Sequence, residues 1–124
     1  MPRFDPAQAG SSPLVRGFTA DSAFVVDGTP HRALLLTPER AIAWEAPALD
    51  ALTEEAVAEA LASQPEFLLL GTGASLARPP RVFVQALEAR SIGVEAMDSR
   101  AAARTWAVLR AEDRWISAAL LPLT

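Results

Sequence analysis

Four consecutive apolar residues, Phe67-Leu68-Leu69-Leu70, run without polar alternation into Gly71-Thr72-Gly73. A strand that is apolar on both parities must be covered on both faces, as in a largely parallel sheet lying between helices. The rest of the chain to Leu121 meets that demand. Pro79 or Pro80 suits the first turn of a helix. In that helix Phe83, Ala86 and Leu87 share the buried face, and Arg81, Gln85 and Glu88 face solvent. Ser91-Ile92-Gly93 ends it, Val94–Met97 is a short strand, and Asp98 or Ser99 caps a second helix from Arg100 to about Ala111. Trp115–Leu121 is a last strand with both parities largely apolar, which places it inside the sheet. The short turn at Glu112-Asp113 leaves its direction open. Strands alternating with helices in this order predict an α/β layer structure.

The first half reads as β structure. Phe24-Val25-Val26 precedes the turn pair Asp27-Gly28. Arg32–Leu36 and Ala41–Glu45 are two more short strands, separated by a turn with Pro38 at its second position. A meander is expected. After Pro47, a helix capped by Asp50 or Thr53 is predicted to about Ser63. Its core face carries Leu52, Ala56, Val57, Ala60 and Leu61; Glu54, Glu55 and Glu59 form a solvated acidic face. Residues 1–14, with Pro2, Pro6, Gly10 and Pro13, are expected to be a loosely ordered lead-in, and residues 15–124 a single domain. The lead-in reads as neither a signal peptide nor a membrane anchor. No run of about 18 apolar residues occurs, so no membrane-spanning helix is expected, and cytoplasmic residence is the simplest expectation.

Composition excludes several chemistries. There is no cysteine, hence no disulfide, thiolate metal site or cysteine nucleophile. The net charge of −4 argues against a nucleic-acid partner, which calls for a basic face. All eleven basic residues are arginine, as a GC-rich genome would produce. His31 is the one histidine, beside Arg32, and makes no metal site. Acidic neighbours such as Glu54-Glu55 and Glu112-Asp113 point their side chains apart, so no catalytic dyad forms from them. Neither a nucleophile elbow nor any acid, base and nucleophile set can be assembled. Trp44, Trp106 and Trp115 are spaced as core residues. No catalytic residue, metal ligand or cofactor is assigned.

Two features could bind. Gly71-Thr72-Gly73 follows a buried strand, where α/β sheets place ligands, and glycine-turn amides can hold an anion. The dinucleotide fingerprint is incomplete, with Leu76 at its third glycine, and a chain without lysine has no phosphate-loop lysine. A structural turn, using the positive φ that glycine allows, is therefore favoured. In the last helix, Ala102, Thr105, Trp106 and Leu109 share the predicted core face. Arg100, Ala103, Arg104, Ala107 and Arg110 lie opposite, near Asp98. That arginine face is either a carboxylate- or phosphate-binding or docking surface, or a plain solvated face; the latter is the commoner.

The ordered series Phe67–Gly73, Ile92–Asp98, Ala101–Thr105, Glu112-Asp113-Arg114 and Ala118–Pro122 resembles the family of mitochondrial complex I assembly factor 3 and its uncharacterised prokaryotic relatives. Gly17-Phe18, Leu34–Pro38, Trp44 and Leu52–Glu55 are compatible, so the resemblance covers Val15 to Pro122. It implies a three-layer α/β fold: a mixed central sheet with helices on both faces, additional N-terminal β structure, and one internal antiparallel strand. It also implies a non-enzymatic binding or accessory protein that assists assembly of a membrane-associated, respiratory-type complex. The partner would be a subunit of that complex. Ala103, Ala107 and Asp113 depart from the family, which has cysteine in some members, often asparagine, and glycine there. Asp113 is expected to take the left-handed conformation that glycine would supply.

The surface nominated for binding combines Gly71, Thr72, Gly73, Asp98, Arg104 and Arg114. The alternative is a small-molecule or enzymatic domain that holds an anion between the glycine turn and Arg104. A self-associating domain is a third reading.

Overall fold

The computed structural model describes residues 12–124. Its centre is a five-stranded mixed sheet in the order β5-β4-β8-β6-β7. The strands are β4 (Leu34–Leu36), β5 (Ala41–Ala43), β6 (Phe67–Gly71), β7 (Gly93–Met97) and β8 (Ser117–Leu120). A separate three-stranded antiparallel sheet holds β1 (Val15–Phe18), β2 (Phe24–Val26) and β3 (Thr29–His31). The helices are α1 (Ala58–Leu61), α2 (Arg81–Glu88) and α3 (Ser99–Ala111).

Strand β6 is parallel to both its neighbours, β7 and β8. The connection β6–α2–β7 steps one way along the sheet; β7–α3–β8 steps back across β6. Crossovers of one hand that run in opposite directions place their helices on opposite faces. The two cores show this. Leu34, Leu36, Leu69, Ala118 and Leu120 pack with Ala102, Ala103 and Trp106 of α3 and with Phe24 and Val26 of the small sheet. Leu35, Leu68, Leu70 and Ala119 pack with Val57, Ala60, Leu61, Phe83 and Leu87 on the other face. The expected three-layer α/β architecture is thus present, with the added β structure on the α3 side. The internal antiparallel strand is β4, which opposes both β5 and β8. The last strand, whose direction the sequence left open, runs parallel to β6.

The predicted meander divides after β3. The Asp27-Gly28 turn forms as read, with φ of 50° and 79°, and closes the β2–β3 hairpin. Strand β4 then leaves for the central sheet, because its three leucines are all buried and need cover on both faces.

The helix expected to run to Ser63 is instead a series of short pieces. These are 3-10 turns at Leu49–Ala51 and Glu55–Val57, then the single α-helical turn α1. The anticipated face is correct, with Leu52, Val57, Ala60 and Leu61 buried. An outside donor takes a carbonyl that a regular ladder would use, with Trp44 Nε1 donating to Ala56 O at 2.9 Å. At the end of α1, where carbonyls have no helical partner, Ser63 and Ser117 hydroxyls donate to Ala60 O at 3.0 and 2.8 Å. Thr53 Oγ1 accepts from Ala56 N at 3.2 Å, as a cap does.

Three further expectations are corrected. Trp115 is not a core residue: it is 41% exposed, lying outside β8 with Nε1 donating to Ser63 O. Ala103 and Arg110 are buried rather than on the outer face of α3. The buried stripe Ser99, Ala102–Ala103, Trp106, Arg110 follows the helical repeat, and the Arg110 stem continues it past the tryptophan. Its guanidinium donates to Ser12 Oγ at 3.1 Å and Arg114 O at 2.6 Å and lies over the Trp115 ring. Residues 12–14, assigned to the lead-in, pack on the domain. Ser12 is buried and donates to Pro38 O, and Pro13 O accepts from Trp106 Nε1 at 2.7 Å. The rest of the lead-in lies outside the described residues.

Helices α2 and α3 end alike. Ser91 and Asp113 have φ of 61°, and Ile92 and Arg114 amides reach back to Leu87 O and Leu109 O. This is the left-handed helix stop, made without glycine.

Leu70→Ala is expected to cost about 2–5 kcal/mol in denaturant unfolding, whereas Val108→Ala, at an exposed site, stays within about 0.5 kcal/mol. Asp113→Gly relieves the left-handed strain and is expected to raise stability by up to about 1 kcal/mol. Equal losses for the two truncations, or a destabilised Asp113 variant, would contradict these assignments.

Candidate functional site

The carboxyl ends of β6, β7 and β8 meet the start of α3 at one buried serine. Ser99 is fully buried. Its hydroxyl donates to Leu121 O at 2.8 Å and accepts from Gly73 N at 2.9 Å, while its own amide donates to Gly73 O at 2.8 Å. Thr72 N donates to Met97 O at 2.8 Å, and Leu121 N to Gly71 O at 2.9 Å. Three strand ends and a helix are thereby tied into one hydrogen-bonded knot.

The two glycines serve different needs. Gly73 has φ of 112°, the conformation the sequence reading assigned to it. Gly71 does not adopt positive φ, which corrects that reading. A Cβ there would lie 2.6 Å from Ser99 Oγ and 2.8 Å from Ser99 Cα, so glycine is required by the close approach of α3. Thr72 shapes the next loop from within: Oγ1 donates to Ser75 O at 2.7 Å and accepts from Ala77 N at 3.0 Å. The amides of Thr72 and Gly73 are committed to intramolecular acceptors. An anion at this turn would have to break those bonds.

Asp98 caps α3, its Oδ1 accepting from Ala101 N at 2.9 Å. It lies beside the glycine turn, since Thr72 and Met97 are bonded. Arg104 stands exposed on α3, six residues or roughly 9 Å further along the axis. With Arg100, Val108 and Glu112 it forms the outer ridge of the helix, at successive four-residue steps. Arg100 at the head of that ridge stacks over Phe18 at 4.8 Å. Arg114 belongs to the other end of the molecule. It follows α3, pairs with Glu66 at 3.0 Å and stacks over Phe67 at the amino end of β6. Gly71, Thr72, Gly73 and Asp98 are therefore brought together, Arg104 lies along the helix from them, and Arg114 is at the opposite, amino end of β6. Ala103, being buried, does not share the Arg104 face; Ala107 is half-buried beside the ridge.

A feature not anticipated from the sequence is a shallow groove of about 350 Å³ at the amino edge, lined by Gln64, Pro65, Arg90, Ser91 and Ile92. The helix ends converge there, and Arg90 is held by Glu54 at 2.7 Å. The only hint in the sequence was the helix stop at Ser91. Among the described residues no group of three metal-ligating side chains occurs, and no helix is long and apolar enough to cross a membrane. A hydrogen bond from Thr19 holds the Asp21 carboxyl below the usual range; that residue sits on an exposed turn away from the knot.

Residues 16–121 match the family described as a protein of unknown function (DUF498/DUF598), and the chain belongs to that family. An uncharacterized protein of Rhodobacter capsulatus is 36% identical over 120 residues, covering 96% of this chain and 91% of that protein. A crystal structure of a Bordetella parapertussis protein is 33% identical with a TM-score of 0.81, covering 90% of this chain and 97% of that one. A solution structure from Bordetella pertussis, described as a Mth938-like domain, is 28% identical with a TM-score of 0.78, covering 99% and 92%.

Ser99→Ala removes the acceptor of a buried amide and the donor to a buried carbonyl, and is expected to cost about 1–3 kcal/mol. Gly71→Ala forces α3 off the sheet, with an expected loss of about 1–3 kcal/mol or more. Urea unfolding of both variants checks this; two wild-type midpoints would mean the knot contributes nothing.

Proposed function

We propose that the protein acts by binding another protein, as an accessory factor, and that the outer ridge of α3 around Arg104 is its contact surface. The observation that supports this reading is the contrast between the two nominated features. The polar groups of the glycine turn are spent on Ser99, Met97 and Leu121, whereas Arg104 and Val108 project from a helix whose other face is locked into the core. A planar guanidinium beside an apolar side chain on a rigid helix is a common anchor of protein interfaces. Asp98 and the glycine turn then act as the base that fixes the ridge, and Arg114 lies outside it. The resemblance to mitochondrial complex I assembly factor 3 suggests the finer reading: assistance in assembling a membrane-associated, respiratory-type complex, from the cytoplasmic side.

The test is affinity capture from native cells with soluble and membrane fractions kept apart, followed by titration of the recovered subunit. Arg104→Ala is expected to weaken that complex at least about tenfold, the scale of an interface anchor, with unchanged unfolding. Undiminished affinity would refute the assignment of the ridge.

A further inference from the structure

The loop between β6 and α2, together with the first turn of α2, carries a patch that the binding ridge does not include. Leu76 is 67% exposed and Val82 78% exposed, the two most exposed large apolar residues among those described. Arg78 and Arg81 lie between them in sequence and are exposed as well. No aspartate or glutamate occurs from Phe67 to Leu87, in a chain whose net charge is −4. Thr72 holds the loop from inside through Ser75 and Ala77, and Pro79-Pro80 stiffens its exit. Two exposed aliphatic side chains and two exposed guanidinium groups are thus presented on a braced segment.

We infer that this loop docks on an anionic lipid surface, with Leu76 and Val82 entering the headgroup layer and Arg78 and Arg81 meeting lipid phosphates. Charge and shape select this occupant. The patch is locally cationic and apolar, which matches a bilayer with anionic headgroups in both respects. It offers four side chains, far fewer than the roughly 20–30 residues a side of a stable protein interface. A fluid headgroup layer can close around so small a patch where a folded partner must offer a matching cavity. The negative remainder of the molecule is repelled by the same surface, so contact is confined to this loop and is weak and reversible. The inference does not rest on the protein-binding role of the α3 ridge, which lies on the other face of the sheet from α2.

Flotation of the full chain with phosphatidylglycerol–phosphatidylcholine vesicles, against phosphatidylcholine alone, tests it without any protein partner. The protein is expected to float with the anionic vesicles only and to be released as salt shortens the screening length from about 10 Å to about 3 Å. The double variant Arg78→Gln, Arg81→Gln is expected to bind about thirtyfold more weakly, at the usual contribution of a basic residue near such a surface. Leu76→Ser with Val82→Ser should weaken binding at least about tenfold. Circular dichroism should show both variants folded, since all four side chains are exposed. Equal flotation with neutral vesicles, or variants that float like the wild type, would overturn the proposal. So would loop variants that lose a protein partner while the wild type ignores vesicles, which would make the loop a protein-docking surface.

Discussion

The fully buried hydroxyl of Ser99 joins elements that are far apart in sequence. It bonds the turn after β6 and the chain leaving β8, and it begins the helix that follows β7. A polar group with no access to water is stabilising only when its donor and acceptor capacity are both used, and here both are. The arrangement forces glycine at position 71, because α3 approaches the strand too closely for a Cβ. It fixes the start of α3 against the sheet, and with it the direction of the outer ridge. Arg110 performs a similar task at the far end of α3, tying Ser12 and the chain entering β8 to the same helix. One helix, pinned at both ends by buried polar contacts, organises one whole face of the molecule.

The central strand β8 is built mostly from small residues. Ala118 and Ala119 lie on opposite sides of β8, one under α3 and the other near α1. Small side chains at the central strand let the helical layers come close. The bulk is supplied by leucines from β4 and β6 and by Trp106, Phe24 and Phe83. Burial of each such side chain is worth about 1.5–3 kcal/mol, so the sandwiched sheet supplies the major apolar term. Among the described residues, the exposed ion pairs Arg40–Glu59, Arg90–Glu54 and Arg114–Glu66 are largely solvent-screened and decide little.

The layers and most strands were legible because their signals are local. A continuous apolar run, a two-parity final strand, the Asp27-Gly28 hairpin turn and the Asp98 cap each depend on neighbours in sequence. What was not legible depended on distant partners. Arg110 read as a surface charge because its acceptor, Ser12, is 98 residues upstream. The helix before Ser63 is interrupted where Trp44, outside it, takes the Ala56 carbonyl. Gly71 read as a turn residue because nothing near it announces that α3 will lie against it. For the site, the nominated surface grouped Asp98 with the glycine turn, but the sequence could not show that the turn amides were already engaged, nor that Arg114 would fall at the amino end of β6.

The central claim is that the glycine turn is a structural knot whose amides are locked inside the fold. Native-state hydrogen exchange at the Gly73 amide tests it most directly. The account predicts that this amide exchanges only through global unfolding, with the same opening free energy as the amides of β6 and β8. Rapid exchange, or exchange slowed specifically by added phosphate, would contradict it and would make the turn a ligand site.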